Sequence, residues 1–283
     1  MKIFVAGSSP LIVLHALAGV ASAPALAQEV TQSQGQGLTE VMWDKDGTYQ
    51  WNRPDHVRWA LVRACGGGGG GGGGYSLAPR RTFEREAGTS VGGGGGAGAL
   101  LTTTLVGPLT ASRYTIVIGS GGNGGVSTIV PDPSHARPRG KPGENGTPTS
   151  MTGSDLSFKT PGGVGGTSAS TAIRVSGGDR SGEWGVSDVS SSGGWHPGGG
   201  TAQSGADGYF GVGGSGSVEG DSGGGGGSLG AGGAAGIPDT SGADGGSCAG
   251  GGGAGVFQGK NTSSAGGRGG AGTLLLIPVT SPD

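Results

Sequence analysis

Aromatic side chains make up only 5% of the 283 residues and charged ones 13%. A conventional apolar core is therefore small. The net charge is −2, with 17 basic residues against 19 acidic ones, and the few arginines are scattered. Without a basic patch, nothing in the chain points to nucleic acid. Two cysteines, Cys65 and Cys248, are too few for a disulfide framework. No His-x-x-x-His or Cys-x-x-Cys spacing occurs, so a metal site has no support. Amphipathic helical periodicity is almost absent. Gly-x-Gly-x-x-Gly recurs, but no helix follows to aim backbone amides at a phosphate. Asp55-His56 is no dyad, because neighbours on an extended chain point to opposite faces. No catalytic residue and no cofactor is assigned, and the expectation is a protein that is not an enzyme.

What the chain has is glycine, at 74 positions, often at every third residue. Gly205, Gly208, Gly211 and Gly214 form one run, and Gly224, Gly227, Gly230, Gly233 and Gly236 a longer one. Shorter runs are Gly119/Gly122/Gly125, Gly140/Gly143/Gly146 and Gly266/Gly269/Gly272. Three residues per turn is the period of the polyproline II helix, which has no internal hydrogen bonds. Without Cβ along one edge, such helices can pack backbone to backbone and pair with neighbours. The competing reading is a disordered low-complexity region. Glycine costs roughly 0.5–1 kcal/mol more than alanine to order, so only a dense lattice of hydrogen bonds and close contacts could hold these runs.

Strand patterns flank the glycine-rich body. Residues 41–51 read as a hairpin turning at Asp46-Gly47. Residues 57–64 alternate, with Val57, Trp59 and Leu61 on one face and Ala60, Val62 and Ala64 on the other. That strand runs into nine consecutive glycines, 66–74. Residues 99–105 and 112–118 read as extended, as does the apolar 273–279, where Pro278 suggests an edge position or a strand end. The fold class expected is mainly β with polyproline/polyglycine II: a small β-sheet base carrying packed glycine-rich helices, with almost no α-helix. Residues 41–279 form this domain, residues 29–40 a polar linker, and residues 280–283 a short tail. Residues 1–28 carry an apolar stretch, 11–20, followed by Ala21-Ser22-Ala23 and Ala25-Leu26-Ala27. They read either as a signal peptide or as an apolar tail that docks into an assembly.

The order of these parts resembles the glycine-rich domain of bacteriophage tail proteins, including tail-fibre tip adhesins and minor tail proteins. A segment of the Asp-Gly-Thr-Tyr-x-Trp type, here Asp44–Trp51, is followed by Pro54. A valine-containing strand then opens into a long glycine run, at 57–74. A second run at 92–98, the strand Tyr114-Thr115-Ile116-Val117-Ile118-Gly119, and Gly267-Arg268-Gly269-Gly270-Ala271-Gly272 before the last strand complete it. The resemblance covers roughly residues 41–279. It implies a virion tail component, structural and without cofactor, built as packed polyglycine II helices whose far-end loops contact a host glycan or envelope protein. Its partners would be other tail proteins and, in a fibre, further copies of itself. Two features depart from that pattern: the leader-like residues 1–28, and Cys65 where a glycine or alanine is expected. The leader keeps open a second reading, a secreted or cell-surface adhesive or ice-binding protein, with irregular charged loops weighing against ice.

The candidate contact residues are Arg180, Trp184, Trp195, His196, Tyr209 and Phe210, set between or within glycine runs. Rings on rigid loops suit sugar faces or another protein. The residue pattern favours the plainer alternative, in which the rings pack over helix edges. Cys65 and Cys248 could pair if the fold brings them together, though two small buried thiols beside glycine runs are favoured.

Overall fold

A computed structural model describes residues 33–35, 38–77, 90–91, 94–130, 140–168, 204–208, 210–216, 222–237, 240–254 and 265–279. It consists of a β-sandwich base from which a lattice of polyglycine II helices rises. No helix among the described residues is long and apolar enough to cross a membrane.

The base pairs two antiparallel sheets. One has the order β1-β2-β12-β4-β7, from β1 (Ser33–Gly35), β2 (Leu38–Trp43), β4 (Trp59–Cys65), β7 (Thr102–Val106) and β12 (Thr273–Val279). The other has the order β11-β10-β8-β3, from β3 (Gly47–Asn52), β8 (Arg113–Ile118), β10 (Thr149–Thr152) and β11 (Ser157–Thr160). Period-two alternation sends Ala60, Val62, Leu274 and Leu276 of one sheet and Trp51, Tyr114, Ile116 and Met151 of the other into one buried core. Val57 and Leu109 close its lower end. A small third sheet, β6-β5-β9, lies at the opposite end of the molecule, from β5 (Tyr75–Leu77), β6 (Ser90–Val91) and β9 (Thr128–Val130).

Two strand expectations change. Residues 41–51 are not a hairpin: β2 pairs with β1 and β12, whereas β3 pairs with β8 in the facing sheet. Asp46-Gly47 is thus the corner between the two sheets. Gly47 sits there at φ 153°, a value that suits glycine. β12 is not an edge strand but lies between β2 and β4, and Pro278 falls at its end, the other position expected of it. Its Pro278 is tolerated because β2 pairs only with residues 274–276, leaving the proline beyond that ladder. The stretch read as a linker carries β1 and the start of β2.

Strands continue into helices without a break. β4 runs into residues 66–74 (g1), β8 into 119–126 (g3) and β11 into 161–167 (g5). Residues 94–101 (g2), 140–147 (g4) and 265–272 (g12) descend into β7, β10 and β12. The remaining helices are 204–208 (g6), 211–216 (g7), 222–228 (g8), 230–237 (g9), 240–247 (g10) and 249–254 (g11). At a 3.1 Å rise, the nine residues of g1 span about 28 Å.

Six helices enclose g1. Its amides donate in rotation to g4 (Gly67 to Thr147 O, Gly70 to Glu144 O, Gly73 to Lys141 O), to g12 (Gly68 to Gly270 O, Gly71 to Gly267 O) and to g2 (Gly69 to Ala97 O, Gly72 to Gly94 O), at 2.7–2.9 Å. Its carbonyls accept from g3 (Gly122, Gly125), g5 (Gly163, Gly166) and g11 (Gly251, Ala254). The falling residue numbers show that the first three neighbours are antiparallel to g1, and the rising numbers show that the second three are parallel. The surrounding helices bond to one another in the closed order g3-g4-g5-g2-g11-g12.

A second ring shares this pair of core helices. Around g11 lie g1, g2, g8, g9, g10 and g12, again all linked by backbone hydrogen bonds. The lattice is therefore two fused hexagons with g1 and g11 at their centres.

Enclosure sets composition. On g1 every direction meets backbone, and all nine residues are glycine. In g3 and g12 one residue in three faces away from the lattice, and there the chain places Ser120, Asn123 and Val126, and Ala265, Arg268 and Ala271. The period of three in the sequence is thus a record of buried faces.

The two longest registers do not form single helices. Gly205 donates to Gly214 O and Gly208 to Gly211 O, so g6 and g7 are antiparallel arms of one turn. Gly225 donates to Gly233 O and Ser228 to Gly230 O, so g8 and g9 fold back likewise. The period survives each turn because both arms need glycine along their shared seam.

Candidate functional site

The lattice has two unlike ends. At the near end, strands lead into it, and the turns between g6 and g7, g8 and g9, and g10 and g11 are short. At the far end lie the described residues that flank 78–89, 131–139, 169–203, 217–221, 238–239 and 255–264, segments outside the described residues. Their flanks fix this: Thr167, Gly94 and Gly72 share one level, and Ala254, Gly72, Gly71 and Gly266 another close to it. The described flanks of these segments thus gather on the face opposite the sandwich.

Of the residues singled out from sequence, Arg180, Trp184, Trp195, His196 and Tyr209 lie outside the described residues. The first four belong to 169–203, which joins the far-end termini of g5 and g6. Phe210 is described, and it stands apart. It sits in the near-end turn between g6 and g7, its amide donating to Ser228 O at 3.1 Å, and it is 72% exposed. The ring does not pack over a helix edge, and the turn of the Gly205–Gly214 register carries it to the sandwich side.

Cys65 and Cys248 form a disulfide, which corrects the preference for two separate buried thiols. Cys65 ends β4 just before g1, and Cys248 immediately precedes g11. The bond therefore joins the two enclosed helices at the same end. The sulfurs are buried with Ala99 against Leu101 and Leu229. Of the seven helices in the first hexagon, g11 alone has no strand to align it, and the disulfide takes that place. A separation of 183 residues hid the pairing from sequence.

At the base, Asp155 was not anticipated. Its carboxylate accepts from the Thr110 amide and hydroxyl, the Ala111 amide and the Tyr114 hydroxyl. Desolvation pushes its pKa up, but these hydrogen bonds outweigh that and hold it well below the usual carboxylate range. Burial, with Asp155 as hydrogen-bond partner and neighbouring charge, pushes Tyr114 up to about 12. Arg53 closes the same loop, donating to the carbonyls of Ala111, Pro54, Asp55 and Val57 at 2.7–3.1 Å. With the Asp155 carboxylate and the Arg53 guanidinium directed to loop backbone, the Thr110 hydroxyl and Tyr114, this cluster is a clamp on the underside of the sandwich. Gly153-Ser154-Asp155 reads as turn chemistry, but nothing in sequence says which loop the carboxylate would hold.

Among the described residues no group of three or more His, Cys, Asp or Glu side chains could hold a metal ion. Arg268 and Asp46 form an exposed ion pair at 3.9 Å between lattice and sandwich corner, of small energetic weight.

The family model described as a glycine-rich domain matches residues 44–276. Those limits run from the sandwich corner beside β3 to the middle of β12, and so take in the whole lattice. No curated protein matches the chain.

Proposed function

We propose that this chain, which belongs to the glycine-rich domain family, is a structural component of a bacteriophage tail, a minor tail or tail-fibre tip protein that contributes to host attachment. The observation carrying this reading is the segregation of ends: a stiff lattice seated on a sandwich, with the described flanks of the long segments gathered on its far face. In this reading the protein works passively, without cofactor or catalysis. The lattice fixes the positions of the loop bases, and loop residues supply specificity. Arg180, Trp184, Trp195 and His196 belong to the longest far-face segment and are the contacts we assign to a host glycan or envelope protein. Tyr209 adjoins the near-end turn and, with Phe210, is assigned instead to contact with neighbouring tail proteins. The test is adsorption of purified protein to host cells. Trp184→Ala and Trp195→Ala should abolish adsorption while leaving thermal stability unchanged; undiminished adsorption would refute the assignment.

One observation favours the second reading, a secreted or cell-surface adhesive protein. Buried disulfides form and persist in oxidising compartments, and Cys65–Cys248 stands in a chain whose residues 21–27 match a small-x-small cleavage pattern. Peptide mapping of the native protein separates the two. Intact residues 1–28 in purified particles support the tail component, whereas a chain beginning near Pro24 or Gln28 and free in the supernatant supports export.

A further inference from the structure

The two outer faces of the sandwich differ in kind. On the four-stranded sheet, the outward residues are Thr48, Gln50, Asn52, Arg113, Thr115, Ser150, Thr152, Ser157 and Lys159, with Val117 the apolar exception. That is the polar solvent face expected of an antiparallel sheet. On the five-stranded sheet, the outward positions of the same pleat are mostly apolar, with Glu40, Arg63 and Thr103 the polar exceptions. Val279 pairs with Trp59, Ile277 with Leu61, Leu61 with Leu105, and Leu275 with Met42. Trp59, Leu105 and Val279 are 36%, 56% and 36% exposed. Such a contiguous apolar face on one side only is a surface made to be covered.

Its size limits what covers it. Four strands from β2 to β7, at about 4.8 Å spacing and about 23 Å long, present roughly 400 Å². A stable interface between separate molecules takes about 800 Å² from each partner. A tethered segment needs far less, because its effective concentration is high. The chain has such a segment: residues 11–20, Leu-Ile-Val-Leu-His-Ala-Leu-Ala-Gly-Val, carry no Asp, Glu, Lys or Arg. They precede β1, the edge strand of this sheet. Twelve residues, 21–32, lie between Val20 and Ser33; extended, that stretch of chain reaches about 43 Å, roughly twice the width of the sheet.

We infer that residues 11–20 dock on the outer face of the five-stranded sheet and seal Trp59, Leu61, Leu105 and Ile277 from water. This rests on the tail-component reading, in which residues 1–28 are retained. The segment is then an intramolecular cover, and the departure from the tail-protein pattern at the N-terminus and the apolar departure on the sheet are one feature.

The test is hydroxyl-radical footprinting of the full chain, read by peptide mass spectrometry, alongside Ile12→Asp and Leu14→Asp variants. The expected result is slow labelling of Trp59 and Leu105 in the parent and several-fold faster labelling in both variants, with labelling of Met151 unchanged. Leu105→Asp, at an exposed edge-strand position, should in turn make residues 11–20 several-fold more sensitive to limited proteolysis. Equal labelling of Trp59 in parent and variants would overturn the inference. So would protection that disappears on dilution with a halving of native mass, which would make the occupant a second copy. A chain found to begin near Gln28 would overturn the tail-component reading as well, whereas an intact chain with Trp59 freely labelled would overturn the docking alone.

Discussion

Consider Gly68→Ala. Gly68 lies on the face of g1 that meets g11, and a Cβ there would stand 1.9 Å from the Ala249 carbonyl oxygen and 2.3 Å from its carbon. Ordinary contact begins at 3.4 Å. The two core helices would therefore have to separate by about 1.5 Å, since backbone cannot swing aside as a side chain does. The bonds that join them, Gly251 N to Gly69 O and Ala254 N to Gly72 O, are each 2.9 Å. Lengthened by that amount, neither survives. Each buried pair left unmade costs about 1–3 kcal/mol, giving roughly 2–6 kcal/mol for the two. Alanine's smaller unfolded-state entropy returns only about 0.4–1 kcal/mol, so the clash decides the sign. At about 2–4 °C per kcal/mol for a chain of this class, the melting temperature should fall by roughly 2–20 °C. Lys141→Ala, at an outward position of g4, should change stability by less than about 0.5 kcal/mol. Differential scanning calorimetry of the two variants is the assay. A Gly68→Ala protein as stable as the parent would refute the enclosure of g1.

Three further outcomes follow from the same structure. Gly227→Val brings a side chain to a position where Cβ alone would stand 2.2 Å from Gly211 O; it should destabilise the outer arms by at least about 1–3 kcal/mol, and an unchanged melting curve would contradict their packing. Cys248→Ser opens a constraint across 183 residues and should cost about 2–5 kcal/mol, read as a melting temperature lowered equally by reductant in the parent. Asp155 has a depressed pKa in the folded state, so its contribution is complete above the ordinary value of 3.8 and fades as pH falls below it toward the folded value. Tyr114 has the opposite sense, its contribution being complete below pH 10 and lost as pH rises through about 12. Asp155→Asn should flatten the acid limb of a stability–pH curve, and an unaltered limb would remove Asp155 from the clamp.

The lattice was legible because its physics is local: a face that meets backbone tolerates only hydrogen at Cα, so burial is written as a glycine at every third residue. Strands β4, β7, β8 and β12 were legible from alternation and β-branched content. What failed was long-range. Asp46-Gly47 has hairpin chemistry, but whether β2 then pairs with β3 depends on β8 and β12, more than sixty residues away. The Gly224–Gly236 register looked like one helix because a tight turn at Ser228 preserves the period that both of its arms require. The disulfide depended on g1 and g11 becoming neighbours, which no spacing encodes. Of the contact residues, only Phe210 is described, and its near-end position follows from the same hidden turn.

The account rests on two glycine helices being the most protected backbone in the molecule, although they bury almost no side chain. Hydrogen–deuterium exchange with residue-level fragmentation measures this directly. Amides of residues 67–73 and 250–253 should exchange as slowly as those of β4 and β12, through opening of the whole fold. Exchange of those amides at the rate of an unprotected glycine peptide, with the β-sandwich still protected, would contradict the lattice and the rigid platform built on it.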